Sequence, residues 1–104
     1  MKSIIKKHLY VTDRASEIVW YDKGLGANDF LYIRETLYRS KKGNLFLHAS
    51  GGAMTEYAES CAGGKSGSSV IIPMDTEDVL EWCGSRRIQN DNLLDLLSDS
   101  IDEA

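Results

Sequence analysis

The pentapeptide Ser40-Lys41-Lys42-Gly43-Asn44 constrains this chain more than any other stretch. It sits inside Phe30–Gly52, between two runs of aliphatic and aromatic residues, and the whole reads as a β-hairpin. A three-residue loop, Lys41-Lys42-Gly43, suits a type I turn followed by a left-handed residue, where glycine has no Cβ to clash. That turn sets a register in which Ser40 faces Asn44, Arg39 faces Leu45, Tyr38 faces Phe46, Leu37 faces Leu47 and Thr36 faces His48. Side chains alternate along a strand. One face therefore carries Glu35, Leu37, Arg39, Leu45, Leu47 and Ala49, and the other Tyr32, Thr36, Tyr38, Phe46 and His48. Neither face is purely polar, so both call for cover. An isolated hairpin is marginal in water, and the flanking segments must complete the core.

Those segments are legible to different degrees. Residues 1–15 suit either a short strand or a helical turn through Ile4, Ile5, Leu9 and Val11, with a capped turn at Thr12–Ala15. Glu17–Tyr21 reads as a strand, and the glycines of the segment after it lead into the hairpin, giving a three-stranded antiparallel meander. Met54, Tyr57, Ala58 and Cys61 have helical spacing, so a short middle helix is expected over Ala53–Cys61. A glycine- and serine-rich loop follows over 62–69. Val70–Ile72 is a short strand stopped by Pro73. Asp75 or Thr76 caps a helix with an apolar stripe of Val79, Leu80, Trp82 and Cys83, which Gly84 weakens or ends. Asn90 or Asp91 caps a last helix, with Leu93, Leu94, Leu96, Leu97 and Ile101 on its apolar side. The expected fold is one α+β domain over 1–104. A three- or four-stranded antiparallel sheet packs against the short middle helix and the C-terminal helices.

The net charge of −4 conceals a division. Residues 1–74 carry +3 and residues 75–104 carry −7. An acidic end disfavours nucleic acid there and favours a basic protein surface. The residues that would make that contact are Glu77, Asp78, Glu81, Asp95, Asp99 and Asp102. No stretch approaches the ~20 apolar residues of a membrane span. The lysine-bearing N-terminus lacks the apolar run of a signal peptide, so a cytoplasmic location without membrane contact is expected. The two cysteines, Cys61 and Cys83, fit reduced thiols.

Chemical motifs are sparse. Gly63-Gly64-Lys65-Ser66 fails as a phosphate-binding loop, because the required earlier glycine falls on Glu59 and the segment enters a strand. His8 and His48 have no zinc-like spacing with the cysteines, so no metal or cofactor is expected. A Cys61–His48 nucleophile–base pair ranks last, since Cys61 falls on an apolar stripe. Glu35 lies on the Leu37/Leu47 face, where an unpaired carboxylate is costly, and Arg39 on that face is the expected ion partner. A nucleic-acid module built on Arg34, Tyr38, Lys41 and Lys42, with Tyr32 and Phe46 as stacking platforms, is the second reading; direct nucleic-acid contact ranks below protein contact.

The order of Glu35-Thr36-Leu37-Tyr38-Arg39, Lys42-Gly43-Asn44, Phe46-Leu47-His48, Gly51-Gly52-Ala53-Met54, Tyr57-Ala58-Glu59, Ile71-Ile72-Pro73-Met74 and Glu81-Trp82 resembles a family of small, mostly uncharacterised proteins. These are encoded by bacteria, phages and conjugative elements. The resemblance covers about residues 8–104, is clearest over 35–83, and carries over no catalytic residue. It implies a non-enzymatic inhibitor or regulator of host defence, of the anti-CRISPR type. Its partner would be a host protein with a basic surface, such as a CRISPR effector whose nucleic-acid groove the acidic face would block.

Overall fold

The computed structural model describes residues 1–24, 31–61, 64–88 and 90–97. Its centre is a four-stranded antiparallel sheet. The strands are β3 (Ser16–Lys23), β4 (Ile33–Arg39), β5 (Leu45–Gly51) and β8 (Ser68–Met74), in that spatial order. The β4–β5 register is the one the turn dictates, from Arg39 opposite Leu45 to Thr36 opposite His48. Gly43 adopts φ +90°, the left-handed conformation the loop requires. Its N–H donates to the Ser40 carbonyl at 2.9 Å, and the Ser40 N–H donates to the Asn44 carbonyl at 2.8 Å. Strands β3, β4 and β5 form the expected meander, and β8 adds the fourth strand. A bulge at Ile18 shifts the β3–β4 register.

Both faces of the hairpin are covered. Over one lie α1 (Thr76–Arg86) and α2 (Asp91–Leu96), and Val79, Trp82, Leu93 and Leu97 pack on Leu37, Leu47 and Ala49. Fully burying a leucine-sized side chain contributes about 1.5–3 kcal/mol, so this cluster is the main stabilising unit. Over the other face folds an N-terminal hairpin, β1 (Lys2–Ile5) and β2 (His8–Val11), followed by a 3-10 turn at Thr12–Arg14. Its Tyr10 ring meets Phe46 edge-on at 5.3 Å, and Tyr38 stacks on Phe46 at 5.4 Å. Phe46 is completely buried as a result.

Three expectations are corrected. There is no middle helix: residues 53–57 turn, and β6 (Glu59–Cys61) pairs with β7 (Gly64–Ser66) in a separate hairpin. The helical spacing there is outweighed by Thr55. Its hydroxyl donates to the Gly52 carbonyl at 2.8 Å and accepts from the Tyr57 N–H at 3.3 Å, closing a local turn that competes with a helix. The part of the 62–69 loop that is described is therefore largely strand. Pro73 does not stop β8, which runs through it to Met74; β8 is an edge strand, where a missing N–H is tolerated. In α1, Asp75 forms a reciprocal capping box with Asp78, and the helix continues past Gly84 to Arg86. Asn90 caps α2 through the Leu93 N–H at 3.1 Å.

Candidate functional site

Three places combine polar chemistry with geometry. The first is buried. Glu35, 1% exposed, points from β4 into the helical layer. Its Oε1 accepts from Trp82 Nε1 at 3.0 Å and Arg86 Nε at 2.7 Å. Its Oε2 accepts from Arg86 Nη2 at 3.1 Å and from the Tyr57 hydroxyl. Trp82 and Arg86 reach it together because they lie one turn apart on α1. The Arg86 guanidinium also sits 4.9 Å from the centre of the Tyr21 ring and 3.5 Å from Glu56. Burial by itself pushes the Glu35 carboxyl up. The hydrogen bonds from Arg86, Tyr57 and Trp82 and the Arg86 charge outweigh it and hold the group below the usual carboxylate range. Burial and the Glu35 hydrogen bond push the Tyr57 phenol up, and the Glu35 hydrogen bond raises Arg86. With four donors on its two oxygens, Glu35 has no free lone pair aimed at a substrate; the cluster fastens α1 to the sheet.

The expected Glu35–Arg39 pair is thus replaced by Glu35–Arg86. Arg39 is exposed at the end of β4, beside the turn. The residues that satisfy Glu35 were missed by sequence reasoning. The available signal was a carboxylate on an apolar strand face together with a Trp and an Arg at i and i+4 on a helix.

The second place is a groove of about 450 Å³ between α1 and the edge strand β8. Ile72, Pro73, Met74 and Trp82 give it an apolar lining, and Asp78 and Glu81 supply the acid. Glu77, Asp78 and Glu81 are exposed, and none has an ion-pair partner among the described residues. The Asp78 carboxylate also accepts from the Asp75 N–H at 3.1 Å. Asp95 is exposed on α2, which packs against β3 at the opposite sheet edge, so the structure does not bring it to this groove. Asp99 and Asp102 lie outside the described residues.

The third is a cleft between the N-terminal hairpin and the β4–β5 turn, where Lys41 and Lys42 join Lys7 and Arg14. Arg34 does not join them. Its guanidinium lies 5.4 Å from the centre of the half-exposed Trp20 ring, near the other end of β4. Tyr38 is half-buried against Phe46, and burial, then Glu17, raises its phenol. The expected Tyr38–Phe46 stacking platform is not available, because Phe46 is enclosed beneath Tyr10.

His48 stands opposite Thr36, as the register requires, and burial, then the N-terminal charge, lowers its affinity for a proton. The Cys61 side chain is outside what is described. Cys83 is a free, half-buried thiol, pushed up by burial. No group of three or more His, Cys, Asp or Glu able to hold a metal occurs among the described residues, and no described helix is long and apolar enough to cross a membrane. Comparison with protein-family models, curated proteins and solved structures finds no match.

Proposed function

We propose that this chain is a non-catalytic binding protein that seats a basic segment of a partner protein in the groove between α1 and β8. The observation that carries the reading is the groove's composition: an apolar lining of Ile72, Pro73, Met74 and Trp82 beside Asp78 and Glu81. Lysine and arginine suit such a site, because their apolar stems lie on the lining while their charges meet carboxylates. Glu77, one helical turn before Glu81, extends the acidic ridge. The saturated Glu35 cluster supports the same view, since the most buried carboxylate among the described residues is used for fastening rather than for chemistry.

The sequence resemblance narrows the partner further. In this proposal the protein is a cytoplasmic inhibitor or regulator from a phage or mobile element. Its target is a host protein, of the CRISPR-effector kind, whose basic nucleic-acid-binding surface supplies that segment. The test is affinity capture from host lysate with the wild type and with a Glu77→Lys/Glu81→Lys variant, compared by mass spectrometry after their melts are matched. Asp78 is left intact because it closes the capping box. A partner retained by the wild type and by Asp95→Lys, but lost from the double variant, supports the groove. Equal retention by all three contradicts it.

A further inference from the structure

We infer that the cleft between the N-terminal hairpin and the β4–β5 turn binds single-stranded nucleic acid, independently of the acidic groove. The cleft has a volume of about 390 Å³, and Lys7, Arg14, Lys41 and Lys42 line it with no carboxylate among the described residues of its walls. None of the four cations has an ion-pair partner among the described residues. Glu17 lies in the adjoining hollow with Lys41 and Arg39 rather than in the cleft.

Two further features select the ligand. His8 and Tyr10 line the same cleft, with their rings 6.4 Å apart and edge-on. Cations beside aromatic rings match phosphates beside unstacked bases. The tip of the N-terminal hairpin is also strained. Ile5 pairs with His8, so Lys6 and Lys7 form a two-residue turn, and both are left-handed, at φ 50° and 71°. Such a turn favours Asn-Gly, because a side chain at positive φ is crowded. Keeping two lysines where the backbone prefers other residues places the Lys7 charge on the cleft wall and Lys6 in the neighbouring hollow beside His8 and Tyr10, at a cost in stability, a pattern expected of a functional position.

The test is fluorescence anisotropy with a labelled oligothymidylate of about ten nucleotides, a duplex of equal length and polyglutamate. Contact with four phosphates of a single strand predicts a roughly 50-fold loss of affinity between about 50 and about 200 mM salt. Lys41→Glu/Lys42→Glu should weaken binding by more than about tenfold, by the same electrostatic argument. Glu77→Lys/Glu81→Lys should not weaken it. Lys6→Asn/Lys7→Gly should weaken binding while raising the melting temperature, a combination that a merely misfolded variant does not give. Four results would each overturn the assignment: no binding to the oligothymidylate, salt-insensitive binding, undiminished binding by Lys41→Glu/Lys42→Glu, or tighter binding of polyglutamate.

Discussion

Arg86 and Glu35 are 51 residues apart in sequence and meet through two hydrogen bonds, one to each carboxylate oxygen, of 2.7 and 3.1 Å. One residue ends α1 and the other is buried mid-strand in β4. A two-pronged Arg–carboxylate contact fixes direction as well as distance. It therefore sets the angle at which α1 crosses the sheet, and with it the groove that α1 forms with β8.

Removing one partner of a buried pair leaves the other charge uncompensated. Arg86→Leu should lower unfolding stability by about 3–5 kcal/mol, read from denaturant melts. Tyr57→Phe, which removes one of four donors, should cost less, about 1.5–3 kcal/mol. Equal losses from the two would show that Arg86 is not the dominant partner.

The same cluster predicts sensitivity to acid. The Glu35 carboxyl titrates below its ordinary value of 4.5 in the folded chain. Its stabilising contribution is therefore complete above that value and is lost as pH falls through the lower, folded-state value. Urea melts across that acid range should show wild-type stability falling with pH, and Glu35→Gln, already less stable, should show a flatter acid limb. An identical slope in both would place the acid sensitivity elsewhere.

The Lys6-Lys7 turn should be easier to improve than to damage. A left-handed residue with a side chain costs about 1–2 kcal/mol, partly offset by the greater freedom of glycine in the unfolded chain. Lys6→Asn/Lys7→Gly should thus stabilise the fold by about 1 kcal/mol, measured by thermal or denaturant melts. A loss of stability would mean that the lysines make contacts that offset their strain.

Gly51 is buried where β5 ends, and a Cβ there would collide with the Thr55 hydroxyl and approach Tyr57 Cδ2 to 3.2 Å. Thr55 is held by its own hydrogen bonds and cannot simply rotate away. Gly51→Ala should cost about 1–3 kcal/mol in a denaturant melt, whereas Gly84→Ala, with nothing within 4 Å of its added Cβ, should be neutral or stabilising by up to about 1 kcal/mol.

How much of this the sequence reveals follows the range of the interactions. The Ser40–Asn44 turn is local chemistry, so the register, the meander and the covered faces follow from it. The caps at Asp75 and Asn90 are local as well. Residues 53–57 mislead because the apolar spacing suits a helix, while the decisive interaction is a single threonine hydroxyl. The Glu35 cluster is hidden for a different reason. Its donors come from a turn and a helix 22 to 51 residues away, and strand alternation points only to the neighbour on the same face, Arg39. The cleft is split in the same way: Lys7 and Arg14 meet Lys41 and Lys42 only after the N-terminal hairpin folds over β5. Of the six acidic residues expected to act together, the fold gathers Glu77, Asp78 and Glu81 and sends Asp95 to the other sheet edge.

We propose that the acidic ridge of α1 is a working surface that draws in a basic partner. The most direct measurement is the association rate of the captured partner with immobilised protein, at about 50 and about 200 mM salt. A rate that falls steeply with salt for the wild type, and is slow and nearly salt-independent for Glu77→Lys/Glu81→Lys, is the predicted result. Rates and salt dependence that are the same for both proteins would contradict it.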